Sequence, residues 1–163
     1  MRTVRLRARY ATEDAARDFA RIADFGLFPG LAGDVRAVEV HSAPSPDMPR
    51  DSDWEVNFRR GVMRWNEWES VDVARLRIEF DQTDGDFAEF HGFWQLDPVG
   101  GAADVLFEVT YDFGIESLAG IMDPIAERVV KRVICSVLSG LFGEIQVLEG
   151  GEALVDLAGL AAR

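Results

Sequence analysis

At 163 residues the chain is long enough for one domain with a substantial core, and its 48% hydrophobic content excludes a disordered polypeptide. A net charge of −12 argues against binding to nucleic acid or an anionic membrane surface, since both need clustered cations. The single cysteine, Cys135, rules out an internal disulfide or a cysteine-rich metal site, and its apolar helical surroundings read as those of a buried structural thiol.

The opening segment "MRTVRLRARY" lacks the apolar run of a signal peptide, and no apolar stretch reaches the roughly 18 residues of a membrane span, so the expected location is the cytoplasm. Within it, "TVRLRARY" alternates strictly, with Val4, Leu6 and Ala8 on one side and arginines on the other, as a half-buried strand does. Thr12 followed by "EDAARDFARIADF" predicts a capped helix with acids in its first turn. "GLFPGLAG" breaks that helix and leads into a short apolar turn.

"DVRAVEVHS" predicts a second strand, and "APSPDMPRDS" (43–52), with three prolines, a loop. Four strand-like runs follow: "DWEVNFRR", "GVMRWNEWESV", "ARLRIEFDQ" and "FAEFHGFWQL", with "DGD" and "DPVGG" as turns. "ADVLFEVTYDFG" is the last expected strand, with Val105, Phe107, Val109, Tyr111 and Phe113 on one face. From about Ser117 the apolar period changes to 3.6. Leu118, Ile121, Met122, Ile125, Val129, Val133, Val137, Leu141, Ile145 and Leu148 form one helical stripe that "EGGEAL" is expected to end.

The order strand, helix, six strands, long helix predicts an α+β domain over residues 1–150, followed by a small alanine-rich tail over 151–163. A curved antiparallel sheet of about seven strands needs a cover for its apolar face, and the terminal helix has a stripe long enough to supply it.

The "W-x-x-W-x-S" strand, the "F-H-G-F-W-Q-L" strand and "T-Y-D-F-G" before a long helix, in this element order, resemble the START-like helix-grip superfamily (SRPBCC). Within it the likeness is to the polyketide cyclase/dehydrase and aromatase branch, over roughly residues 2–148. The resemblance implies a sheet wrapped round a long carboxy-terminal helix, a short helical pair after the first strand, and a hydrophobic tunnel for a poly-β-ketone, a lipid or another apolar ligand. Trp68 and Ser70 match the Trp and Ser of the branch's tryptophan-rich strand, but its arginine position holds Asp72, and Arg64 is the nearest alternative.

Setting Trp68 toward the cavity on this basis puts Arg64, Asn66, Trp68 and Ser70 on the inner face, and Trp65, Glu67 and Glu69 on the outer. The same alternation groups Trp54 with Phe58, Phe90 with Trp94, and Tyr111 with Phe113. Aromatic walls suit flat or conjugated ligands, although such residues equally fill solid cores. The expected catalytic residues are Arg64, Ser70 and Tyr111 as polar helpers, of which Arg64 or Tyr111 would polarise a ketone. The expected ligand-binding residues are Trp54, Phe58, Asn66, Trp68, Phe90, Trp94, Phe113 and Met122.

His91 falls on the outer parity, His41 borders a loop, and the two lack metal-ligand spacing, so no metal site is expected. No nucleophile elbow, phosphate loop or dinucleotide fingerprint implies a cofactor. The leading functional expectation is a cyclase/aromatase-like protein of natural-product biosynthesis that folds a polyketide and promotes aldol closure with dehydration. The alternative is a non-catalytic carrier or sequestering, self-resistance protein for a polyketide, quinone or lipid. A third reading is an interaction module or homodimer joined through an outward Trp65. The sequence leaves open whether the 43–52 loop closes over the cavity.

Overall fold

A computed structural model describes residues 1–45 and 48–151. The alanine-rich tail, but for Gly151, and two residues of the proline-rich loop lie outside the described residues. The chain runs β1 (Arg2–Ala11), α1 (Ala15–Ala23), a short 3-10 turn at Phe25–Leu27, α2 (Phe28–Leu31), β2 (Val35–His41), β3 (Arg50–Phe58), β4 (Gly61–Asp72), β5 (Arg77–Gly85), β6 (Glu89–Val99) and β7 (Ala102–Asp112). A 3-10 turn at Glu116–Leu118 then leads into α3 (Ala119–Phe142), and β8 (Gln146–Glu149) follows.

All eight strands form one antiparallel sheet in the order β2-β3-β4-β5-β6-β7-β1-β8. Its inner face packs on α3 and on the segment Phe25–Leu31, and the buried side chains of β1 and β7 alternate as the period-two pattern requires. Val4, Leu6 and Ala8 pair across with Val109, Phe107 and Val105 to build the floor of the core. Antiparallel neighbours share a face, so each strand's apolar set reinforces the next.

Three expectations need correction. The first concerns the start of α1, which is capped by Asp14, whose Oδ1 accepts the Arg17 N–H at 3.0 Å. Thr12 instead donates its hydroxyl to the buried Asp18, which also accepts from the Tyr10 hydroxyl at 3.0 Å. The second is the length of the terminal helix. It stops at Phe142 because Gly143 takes φ 79°, a left-handed conformation open to glycine, and donates its N–H to Ser139 O at 2.9 Å. Ile145 and Leu148 therefore leave the helical stripe, and β8 pairs with the free edge of β1 as an eighth strand, where Glu149 meets Arg5 and Arg7.

The third is the end of the proline-rich loop. Arg50, Asp51 and Ser52 belong to β3, and Ser52 is fully buried. In addition, the first turn of the expected stripe meets solvent, since Leu118 and Ile121 are exposed. Among the described residues no helix is long and apolar enough to cross a membrane.

Candidate functional site

The sheet, α3 and the Phe25–Leu31 segment enclose a cavity of about 750 Å³, counting its open mouth. That is the size range of small-molecule sites. Among the described residues twenty side chains line it, eleven of them aromatic, and Glu67 alone of these carries a charge-bearing group. β3 supplies Trp54, Val56 and Phe58; β6 supplies Phe90 and Trp94; α3 supplies Ala126, Val129, Val130, Val133 and Ile134.

The aromatic rings form a connected wall. Trp54 and Trp65 stack with centroids 5.6 Å apart and planes 5° from parallel. Trp65 meets Phe90 at 4.9 Å, Phe90 meets Phe87 at 4.7 Å, and Trp94 meets Phe107 edge-on at 4.7 Å. Phe58 and Phe113 stack at 5.6 Å. Offset and edge-on contacts of this kind fix ring orientations more firmly than aliphatic packing does. Gly92 makes room for the wall: a Cβ there would lie 2.8 Å from Phe80 Cζ and 2.0 Å from Glu108 O.

The parity of β4 is the reverse of the expectation. Trp65, Glu67 and Glu69 are buried on the inner face, whereas Arg64 and Ser70 are exposed and Asn66 and Trp68 are half-buried on the outer one. The register gives the reason: Trp54 pairs with Trp65, Ser52 with Glu67 and Arg50 with Glu69, and paired residues point the same way. The shift between β4 and β5 adds its extra residue on β5, at Thr83, so it leaves the parity of β4 unaltered.

On the outer face the Arg64 guanidinium reaches Glu55 at 3.3 Å, and Asn66 donates to Asp51 at 3.0 Å and Asp53 at 2.9 Å. An outward Trp65, the basis for an interface reading, is overturned in the same way. Of the other expected site residues, Trp54, Phe58, Phe90, Trp94 and Phe113 come together around the cavity. Tyr111 is buried with its hydroxyl donated to Asp123 O at 2.7 Å, and burial raises its pKa. Met122 packs against the edge of the core outside the cavity lining.

Behind Glu67 lies a polar cluster that sequence reasoning missed. Glu69 is fully buried and accepts from Arg50 Nε at 2.7 Å and from the Ser52 hydroxyl. Ser52 in turn accepts the Trp54 indole N–H at 2.8 Å. Arg50 also donates to Ala23 O at 2.6 Å and stands 4.8 Å over the Phe25 ring. Glu67 accepts the Trp65 indole N–H at 2.8 Å and lies two residues from Glu69 on the same face of β4. Burial, followed by Glu69 beside it, pushes its pKa well above the usual glutamate value and so favours the protonated form. Because Glu67 lines the cavity, its carboxyl group is presented to an apolar interior.

Two other chemistry-bearing groups lie elsewhere. Burial raises the pKa of Cys135 to about 11, which makes a poor nucleophile at neutral pH. On the outer face Glu39, His41 and Asp53 place their ligand atoms within 4.8 Å of one another, a juxtaposition that linear spacing does not reveal because Asp53 is the cross-strand partner of Glu39. The set is open to solvent, and His41 Nε2 is already engaged with Asp53 at 2.9 Å.

Comparison with known proteins gives the fold its family. The family model described as "Polyketide cyclase / dehydrase and lipid transport" matches residues 14–138. No curated protein matches the chain in sequence. Among solved structures, a Thermus thermophilus protein superposes with TM-score 0.75 at 24% identity, covering 86% of this chain and 94% of that one. The Zhui aromatase/cyclase from Streptomyces sp. R1128 gives 0.69 at 17% identity, covering 96% and 95%. A START superfamily protein from Mycobacterium smegmatis gives 0.68 at 12%, covering 85% and 93%. With the match spanning most of the chain, and with one sheet gripping a long carboxy-terminal helix as in these neighbours, this protein belongs to the polyketide cyclase/dehydrase and lipid transport family.

Proposed function

We propose that the protein binds a flat, largely apolar small molecule of polyketide type inside the cavity and acts on it as a cyclase/aromatase-like enzyme. The observation that carries this reading is the aromatic wall with the Glu67 carboxyl facing into it. Parallel and edge-on rings offer π-faces to a conjugated ligand, and the apolar enclosure removes water from the ligand's carbonyl groups. Folding a flexible poly-β-ketone so that its reacting carbons meet is a positioning task, and positioning alone supplies a large part of a rate enhancement. Family membership and the aromatase/cyclase among the structural neighbours support the same kind of activity.

The second reading is a non-catalytic carrier for a polyketide, quinone or lipid. It is favoured by the apolar character of nineteen of the twenty lining residues, and by Asp72 standing where the resembled pattern has an arginine. The two readings share the cavity and differ in turnover.

Titration with a fused-ring aromatic polyketide, with a fatty acid and a quinone as comparators, followed by tryptophan fluorescence, tests both. Saturable quenching is expected with the aromatic ligand. It weakens in Trp65→Phe, because that indole lines the cavity, and persists in Trp68→Phe, because that indole lies outside. A saturable response to none of the three overturns the small-molecule reading. Saturable binding with no change in the product pattern of a linear polyketide favours the carrier.

A further inference from the structure

We infer that Glu67 is the proton-transfer residue of the cavity, acting on a β-hydroxyketone, with Glu69 and Arg50 as positioning residues behind it. The inference rests on the cyclase/aromatase-like reading above and adds to it the residue that would carry the dehydration.

The geometry narrows the choice to one side chain. The segments that face Glu67 across the cavity, α3 and Phe25–Leu31, present only apolar side chains to it. Its charged neighbours are Glu69, two residues along the same strand, and Arg50 on β3. The Arg50 guanidinium is held by Ala23 O and by Glu69, so its charge is committed to the second carboxylate and is not presented to a ligand. The Trp65 indole N–H fixes one oxygen of Glu67 at 2.8 Å and so orients the carboxyl. The result is two carboxyl groups in series: Glu69, anchored by a guanidinium and a hydroxyl, and Glu67, held by the Trp65 N–H, between that anchor and the cavity.

This arrangement suits loss of water from an aldol adduct. The Glu67 carboxylic acid gives its proton to the departing β-hydroxyl. The C–O bond breaks and water leaves. The electron pair of the α C–H bond becomes the new C=C bond, and the α proton passes to the Glu67 carboxylate, which restores the acid. The net change is β-hydroxyketone to enone plus water, with no oxidant or co-reactant. Glu69 assists because a carboxylate beside the transient Glu67 carboxylate makes it a stronger base for the return step. For an aromatising enzyme, each such dehydration adds one double bond to the growing ring.

The test uses the intact protein, its Glu67→Gln variant, and the acetone aldol adduct of naphthaldehyde, whose dehydration yields a strongly absorbing conjugated enone. Glutamine keeps the acceptor for the Trp65 N–H, but it cannot transfer a proton. Expected are unchanged fluorescence quenching by the adduct and a loss of turnover of about 10²–10⁴-fold. Wild-type turnover should fall at high pH as Glu67 ionises, and the residual turnover of the variant should lack that limb. Infrared spectra at neutral pH should show a protonated carboxylic acid band in the wild type that is missing from the variant.

Binding with equal turnover in the two proteins, or a wild type without the acid band, overturns the role of Glu67 and leaves the cavity reading standing. Wild-type binding without turnover overturns the dehydration step and favours the carrier. No binding by the wild type overturns both readings. Should Glu67→Gln fold poorly, Glu69→Gln provides the second probe: it keeps the Glu67 acid while removing the neighbouring charge, and should move the high-pH limb to lower pH.

Discussion

Arg50 shows how one side chain holds the buried polar cluster together. Its guanidinium contacts Glu69 Oε1, the Ala23 carbonyl and the face of Phe25, so it ties β3 to β4 and to the end of α1. Glu69 is fully buried, and a carboxylate there without its cation would be a charge in a low-dielectric interior. Arg50→Met is therefore expected to destabilise the fold by about 3–5 kcal/mol, because it breaks one half of a buried pair. Arg50→Met combined with Glu69→Met removes both charges and should recover much of that loss. Urea unfolding midpoints of the two variants check this: a double variant no more stable than the single would mean that the arginine acts through packing on Phe25 alone. The Ser52 and Trp54 contacts make the cluster continuous with the aromatic wall, so a local loss of charge balance should also loosen the Trp54–Trp65 stack.

At the scale of elements, β6 must pass close enough to β5 and β7 for Phe80 to lie across it, and Gly92 permits that approach. Gly92→Ala would set a methyl carbon 2.0 Å from Glu108 O, a backbone atom that cannot turn aside. The expected outcome is destabilisation of about 1–3 kcal/mol, the range for forcing atoms into a filled interior. Phe80, a lining residue, must shift as well, so ligand affinity should fall in proportion; a thermal melt and the fluorescence titration together check this. The sequence specified most of these elements because each carries one dominant period: the alternation of β1, β6 and β7 matches the observed burial, whereas of the α3 stripe only Val133, Val137 and Leu141 are buried. β4 was illegible for a physical reason. Both of its faces carry a tryptophan and polar groups, so hydrophobicity does not choose between them, and pairing with Trp54 in β3 decides. Arg50 and Ser52 were hidden by the prolines beside them, and β8 by an apolar spacing that continues the helical stripe past Gly143. The cavity-facing aromatics of β3 and β6 were legible; the carboxyl pair was not, because buried acids look like surface acids until a register is known.

Over the whole molecule, stability and function pull the same carboxyl in opposite directions as pH changes. The chain carries a net charge of −12, and self-repulsion of this kind weakens the compact state as acids ionise. Glu67 adds a specific contribution. In the unfolded chain it ionises near 4.5, whereas in the folded state burial and Glu69 hold it protonated to much higher pH. The unfolded state thus binds fewer protons above 4.5, and stability must fall with rising pH from there until the folded group itself ionises. Other acids have the opposite sign. Hydrogen bonds from His41 and Asn66 lower the pKa of Asp53, and a hydrogen bond from Arg9 lowers that of Asp104, so their contributions are present above their unfolded value of 3.8 and are lost as pH falls through the lower folded values. The melting temperature is therefore expected to pass through a maximum in mildly acid solution. Glu67→Gln should remove the decline on the alkaline side that belongs to this residue, so the variant should match the wild type at low pH and exceed it increasingly above 4.5. Parallel melting curves at a series of pH values decide it. A constant difference between the two proteins would mean that Glu67 ionises alike in the folded and unfolded chain. A gap that opens with pH would mean that the fold itself maintains an acid in the cavity at a measurable cost in stability, as expected where a buried group is retained for chemistry rather than for packing.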